Sequence, residues 1–354
     1  MKDQVELKNG LTIGANLPTQ LNVLLGFNKK EEMFSEYEKL KVLSKNESQV
    51  GVISDLSLYR TSSKNTIWNR VLNDTDCIAA TVPIYLAQEN RLINLNMLKE
   101  SIQEQSEAGV GIITIHPTAT RSMIYACKSR LIPITSRGGA VVVNDLKKRN
   151  EENNAYVKIL DFIIDVAKRN GTVLSIGSTF RSATILDAFD ATYISELQKQ
   201  MEIADLIRSQ GVSVIIETPG HADPRKLQLI CDLLHNQPYP IMPLGPMPTD
   251  IGGNNDDTVA VIGAVLMGTN GCADILSVVT NAEHTGGIPS LETLLLALEK
   301  YRIAKHIIDL YKTEDKSKDF EVSKERSLSI SCKVDKPQEC DRCGYLCPLY
   351  YTFR

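Results

Sequence analysis

Short runs of apolar, largely β-branched residues recur along the chain, each broken by Gly, Pro or polar residues and most followed by a stretch with helical spacing. The runs that predict strands are 11–15 (LTIGA), 50–54 (VGVIS), 78–85 (IAATVPIY), 111–116 (GIITIH) and 131–135 (LIPIT). Further along come 173–177 (VLSIG), 212–217 (VSVIIE), 240–244 (PIMPL) and 274–279 (DILSVV). Helical spacing predicts helices over 30–44, 96–108, 155–169, 188–210, 224–236, 257–269 and 290–312. Runs that are continuously apolar, rather than alternating, belong to parallel strands covered on both faces. Strand–helix alternation repeated about eight times over roughly 250 residues predicts an α/β chain folded as a closed (β/α)8 TIM barrel rather than an open sheet. Nine runs for eight places put at least one of them outside the barrel. The expected division is an N-terminal region (1–45) partly packed on the barrel, the barrel itself (46–312), and a C-terminal tail (313–354). The start of that tail, YKTEDKSKDFEVSKERSLSISCKVDKPQE, is charged and poor in aromatics, which predicts an exposed, mobile connector.

Composition adds exclusions. Of 354 residues, 43% are hydrophobic and 23% charged, and 39 Lys and Arg against 43 Asp and Glu leave a net charge of −4. That balance carries no electrostatic footprint for nucleic acid or an anionic membrane. MKDQVELKNG lacks an apolar signal segment and no run of 18 apolar residues occurs, so a cytoplasmic location is expected.

The eight cysteines divide into two groups. Cys77, Cys127, Cys231, Cys272 and Cys332 are scattered and read as small packing residues. Cys340, Cys343 and Cys347 crowd into ECDRCGYLCPLYYTFR, too dense for a disulfide framework in a reducing compartment. Three thiolates complete a structural zinc site only with a fourth ligand from elsewhere. Alternatively they hold three irons of a 4Fe–4S cluster, leaving the fourth open to the amino and carboxylate groups of S-adenosylmethionine.

Polar residues fall just past the apolar runs: Asp55, Tyr85, His116, Ser136-Arg137-Gly138-Gly139, Arg181, Glu217 with His221, and Glu283-His284. In a barrel, strand C-terminal ends converge on one mouth, so this register predicts an active site there. Ser136, Arg137 and Gly138 suit a phosphate, through backbone N–H groups and a guanidinium, or simply an exposed turn. His235 and His306 lie in amphipathic helices and read as packing or surface residues. His221 and His284 lie in Gly/Pro-rich loops and read either as hydrogen-bonding loop residues or as two ligands of one metal.

In this order ATVPIYLA, TIHPTATR, TSRGGAVV, IIETPGHADP, PLGPMPTDI, AEHTGGIPSLE and the cysteine triplet make the chain resemble the ThiC family of radical S-adenosylmethionine enzymes. That family includes phosphomethylpyrimidine synthase and its paralogue 5-hydroxybenzimidazole synthase, and the resemblance runs from Asn16 to Cys347. It implies a (β/α)8 barrel, a homodimer, an electron-donor protein, and a lyase reaction rearranging 5-aminoimidazole ribonucleotide for thiamine biosynthesis. It further implies that Asn16, Tyr85, His116, Arg181 and Glu217 contact this substrate, with Glu217 the candidate catalytic group. Ser136, Arg137 and Gly138 are implied to hold the phosphate, His221 and His284 a divalent metal (zinc or iron), and Cys340, Cys343 and Cys347 the cluster. Ser178, Met242 and Ser54 depart from the family's Asp, Tyr and Met, and Cys-x2-Cys-x3-Cys is one residue shorter than its usual spacing. These departures keep two further readings open: a paralogue with another product, or a relative that binds nucleotide or metal without turnover.

Overall fold

A computed structural model of the chain describes residues 3–45, 50–284, 286–332 and 342–349. An antiparallel hairpin, β1 (Gln4–Glu6) and β2 (Thr12–Gly14), leads into the first strand of the central sheet, β3 (Gln20–Leu25). Helix α1 (Met33–Ser44), strand β4 (Val52–Asp55), helix α2 (Ile67–Asp74) and strand β5 (Ile78–Thr81) follow. A two-residue-stranded hairpin, β6 (Gln88–Glu89) and β7 (Leu92–Ile93), precedes α3 (Leu95–Ala108) and β8 (Ile112–Ile115). Four helices come next, α4 (Arg121–Ala126), α5 (Arg137–Arg149), α6 (Ala155–Lys158) and α7 (Leu160–Asn170), ahead of β9 (Val173–Ile176). The remaining units are α8 (Ala191–Ser209), β10 (Val214–Glu217), α9 (Pro224–Leu234), β11 (Ile241–Met242), α10 (Asp256–Gly268), β12 (Ile275–Ser277), α11 (Leu291–Thr313) and α12 (Ser317–Ser329).

The eight-stranded sheet runs β11-β10-β9-β8-β5-β4-β3-β12, and its paired neighbours are parallel. Its two edges meet: Asp274 N–H donates to the Ile241 carbonyl at 2.8 Å, and Ile241 N–H donates to Asp274 Oδ2 at 2.8 Å. The fold is thus a nearly closed (β/α)8 barrel. Among the described residues no helix is long and apolar enough to cross a membrane.

Seven of the nine apolar runs contain barrel strands. Run 11–15 instead forms β2, outside the barrel. Run 131–135 forms no strand: Leu131 and Ile132 are 69% and 46% exposed, and Pro133 lacks the N–H a ladder needs. The eighth strand is β3, QLNVLL, which lies inside the 1–45 stretch that the sequence pattern sets apart from the barrel. The predicted helix 155–169 is split at Ile159 into α6 and α7. Where a mobile connector is expected, the chain forms α12, with every residue exposed.

The strands fill the barrel in layers set by their period of two. At the N-terminal end Val52, Ile78, Ile112, Val173, Ile215 and Ile275 pack together, plugged by Val5, Leu7 and Ile13 of the hairpin. Two residues on, the inward positions of several strands turn polar: Ser54, Thr114, Ser175, Glu217 and Ser277, joined by Asn22 of β3. Aliphatic residues of the strands' outer faces pack under the helices as the main core, with Leu21, Val23, Ile53, Ile113, Leu174 and Ile216 all 1% exposed or less. An apolar floor below and a polar layer above place the functional chemistry at the C-terminal mouth.

Candidate active site

The mouth opens into a cavity of about 1120 Å³, part of it continuous with solvent. Tyr85, His116, Ser136, Arg137, Arg181, Glu217, His221 and His284 all line it. Gly138 sits directly behind His116, where a Cβ would lie 2.4 Å from the imidazole Cε1. Gly177 holds the ring at another point, since a Cβ there would lie 2.6 Å from Nε2. Both glycines are therefore set by close approach to one imidazole. Asn16 is exposed on the turn between β2 and β3, at the N-terminal end of the strands, and does not line the cavity. The asparagine that does is Asn22.

Asn22 ties together the floor. Its Oδ1 accepts from Ser54 Oγ at 2.9 Å, and its Nδ2 donates to Ser277 Oγ at 3.1 Å, with Met242 Sδ at 3.8 Å. Two of the three substituted family positions, Ser54 and Met242, therefore meet at one amide in the cavity floor. Ser178 is placed differently. It is 2% exposed, does not line the cavity, and donates to Glu196 Oε2 at 2.8 Å.

Glu217 is held by Thr114 Oγ1 at 2.9 Å and Ser175 Oγ at 3.0 Å, both donating to Oε1, so Oε2 is left for a ligand. Burial raises its carboxyl above the ordinary range, while Arg181 and the two hydroxyls act against that rise. Burial likewise raises the Tyr85 phenol, whose ring lies 5.3 Å from the Arg137 guanidinium carbon.

Ser136 caps the thirteen-residue helix α5, accepting the Gly139 N–H at 3.1 Å. The same hydroxyl lies 3.3 Å from Nε2 of the His116 ring, whose second nitrogen is Nδ1. That Nδ1 is buried with no hydrogen-bond partner in the structure. Burial, reinforced by Arg181, lowers the imidazole to about 3. The mouth thus combines a helix N-terminus, Arg137, Arg181 and a neutral imidazole, a set matched to an anionic oxygen.

His221 and His284 meet on the cavity rim, with ring centroids 5.2 Å apart. His221 Nδ1 donates to Asp250 Oδ1 at 2.7 Å and His284 Nδ1 to Asp256 Oδ2 at 2.9 Å. A carboxylate behind each ring fixes the tautomer and leaves both Nε2 lone pairs unspent, the arrangement of a metal-ligating histidine. Asp250 is itself anchored by Thr184 Oγ1 at 2.7 Å and the Ile185 N–H at 3.0 Å. Burial alone raises the Asp250 carboxyl, but the His221 and Thr184 hydrogen bonds outweigh it and hold it below the usual range. Among the described residues no group of three or more His, Cys, Asp or Glu is placed to hold a metal ion. Asn22, Asp250 and Asp256 were not singled out from sequence; a polar residue inside an apolar run was the available signal for the first. Cys343 and Cys347 flank a short turn, Gly344–Leu346, with both thiols free of disulfides, and Cys340 lies outside the described residues.

A model of the radical SAM ThiC family matches residues 1–331, a span that ends before the cysteine triplet. Phosphomethylpyrimidine synthase of Syntrophus aciditrophicus is 30% identical over 373 residues, covering 96% of this chain and 86% of that protein. The protein of the same name from Sulfurisphaera tokodaii is 29% identical over 387 residues, covering 98% of this chain and 86% of the other.

The buried His116 ring should stay neutral over the working range. In an NMR titration its ring carbons are expected to show no protonation step between about pH 5 and pH 9, and a midpoint near 6.5 would refute the assignment. Because the folded value lies below the unfolded one, unfolding takes up a proton at low pH. The stability contributed by this site is present above about pH 6.5 and falls as the pH drops toward 3.

Proposed function

This chain belongs to the radical SAM ThiC family, and on that footing we propose that it is a carbon–carbon lyase that rearranges 5-aminoimidazole ribonucleotide to a pyrimidine phosphate for thiamine biosynthesis. Membership of a radical SAM family brings with it S-adenosylmethionine and a 4Fe–4S cluster. The observation that carries the substrate reading is the anion cradle at the mouth, built over a floor that holds Glu217. A nucleotide needs a phosphate site and a polar site for its base, and the reading is supported by Arg137, Arg181 and Glu217 lining one cavity.

In this reading the first turn of α5, Arg137 and Arg181 hold the phosphate, with the neutral His116 imidazole beside it. Tyr85 packs beside Arg137 and excludes water from that contact. Glu217 Oε2 binds the amino group of the imidazole. Burial raises its carboxyl above the ordinary carboxylate range, and Arg181, Thr114 and Ser175 oppose that rise. Cys340, Cys343 and Cys347 would hold the cluster, and His221 and His284 a zinc or iron ion through Nε2. When bound, the cluster would supply one-electron reducing chemistry toward S-adenosylmethionine, and the metal a Lewis-acid position beside the cavity.

Ser54 and Met242 favour a second reading within the same chemistry. Both lie at the Asn22 amide in the floor, where a substrate ring would rest. Their change alters what that amide can recognise, consistent with a product such as 5-hydroxybenzimidazole from the same nucleotide.

A homodimer in the cytoplasm, reduced by an electron-donor protein, completes the proposal. One face of α11 supports a partner copy: Leu296, Ile303, Ile307 and Tyr311 are each 40% exposed or more and follow one another at helical spacing. Sedimentation at micromolar concentration is expected to give a dimer that Ile303→Lys dissociates. A monomeric parent would remove this part of the proposal.

Anaerobic incubation of the reconstituted protein with S-adenosylmethionine, aminoimidazole ribonucleotide and a chemical reductant is expected to yield 5′-deoxyadenosine together with a new heterocycle. Mass spectrometry of that heterocycle separates the pyrimidine from the benzimidazole product, and the absence of both compounds sinks the enzyme reading.

Elemental analysis tests the two inorganic sites separately. His221→Ala is expected to abolish binding of the rim metal, and Asp250→Asn to weaken it about 10–100-fold. Cys347→Ala should lower iron and sulfide while leaving the rim metal in place. Rim-metal binding that survives His221→Ala would refute the two-histidine site.

A further inference from the structure

Behind the cavity wall lies a buried carboxylate with no part in the steps proposed above. Glu196, on α8, is 1% exposed and does not line the cavity. Its Oε1 accepts from Thr118 Oγ1 and from the Thr179 N–H, each at 2.6 Å. Its Oε2 accepts from the Phe180 N–H at 2.7 Å and from Ser178 Oγ at 2.8 Å. Every one of these four short bonds has the carboxylate as acceptor, so the group is held by neutral donors alone.

The four donors belong to two mouth loops. Thr118 stands two residues past His116 on the loop leaving β8, and Ser178–Phe180 immediately precede Arg181 on the loop leaving β9. The start of α5 is packed onto the same node, since a Cβ at Gly139 would lie 2.7 Å from Thr179 Cα. On its far side Phe180 is also gripped, its carbonyl accepting from Arg130 Nη1 at 2.7 Å while that guanidinium pairs with both oxygens of Asp190. His116, Arg181 and the α5 N-terminus come from three separate parts of the chain. Their relative positions are all referred to one carboxylate.

We infer that Glu196 is a positioning residue of the anion cradle, fixing Arg181 and His116 relative to the first turn of α5 and so setting the affinity for the substrate's phosphate without touching it. The inference rests on the reading that this cradle binds a phosphorylated substrate. A carboxylate suits the role because two oxygens accept four donors at once. An amide replaces it poorly, since its NH2 end would face the backbone N–H of Phe180 or of Thr179, a donor that cannot reverse as a hydroxyl can. A residue that only stabilised the fold would leave the binding of phosphorylated and unphosphorylated ligands equally affected.

Calorimetry on the holoenzyme with aminoimidazole ribonucleotide, and with the corresponding riboside that lacks the phosphate, makes that distinction. Glu196→Gln is expected to weaken the nucleotide about tenfold or more and the riboside no more than about twofold. Equal weakening of the two ligands, or undiminished preference for the nucleotide, overturns the inference. Should that variant fail to fold by circular dichroism, Thr118→Val removes a single donor, leaves three, and is judged by the same selective loss. A parent protein that binds nucleotide and riboside equally would overturn the phosphate reading itself and this inference with it. A parent that discriminates, beside a variant that discriminates as well, overturns the inference alone.

Discussion

Eight parallel strands that close on one another point half of their side chains into a space with little room for water, so every polar group there must find a partner inside the ring. In the lower half the problem is avoided with branched aliphatics and a hairpin plug. In the upper half it is solved by pairing. Asn22 joins Ser54 and Ser277, while Thr114 and Ser175 converge on Glu217. Each of these pairings crosses between strands, so the barrel register decides which groups meet. His116 Nδ1 stays buried without a hydrogen-bond partner, and Glu217 lines the space where a ligand would sit.

The mouth uses burial for opposite ends. It lowers the His116 imidazole to about 3, which keeps a neutral donor in a place where a cation would be poorly solvated. It raises the Glu217 carboxyl, and Arg181 limits the rise. At the rim the arrangement is reversed: Asp250 and Asp256 stand behind the two histidines and lend them negative charge. One cavity therefore presents a set of donors for an anion and, beside it, two lone pairs for a cation.

The loops carrying these groups are not loosely attached. Glu196 binds the β8 and β9 loops from behind, and the Arg130–Asp190 pair grips the same segment from the side. His221 is tied to the β9 loop as well, its N–H donating to the Ser182 carbonyl at 3.0 Å and its own carbonyl accepting from Ser182 Oγ at 2.5 Å. This bracing explains how residues more than a hundred positions apart in sequence keep hydrogen-bond tolerances at a solvent-facing mouth.

Most of the barrel was legible because buried parallel strands must be apolar on both faces, and seven runs announced themselves in that way. The two misplaced runs share a physical cause. LIPIT is apolar yet lies exposed beside α5, and LTIGA pairs within the small N-terminal hairpin; local composition does not reveal whether a neighbour will cover a run. The omitted strand, QLNVLL, was hidden by Asn22, a polar residue there because its side chain serves the site rather than the core. The mouth residues from Tyr85 to His284 were readable from their register just past strand ends. Asn16, by contrast, lies at the other end of the barrel, and Ser178 lies behind the wall. By itself the sequence determined the layered α/β barrel, the family and the chemical types at the mouth, since these follow from local periodicity and short motifs. Only the tertiary structure decided which polar groups face the cavity and which hold one another. Strand register and loop packing bring together Asn22 with Ser54, His221 with Asp250, and Glu196 with both loops, and no spacing along the chain encodes those distances.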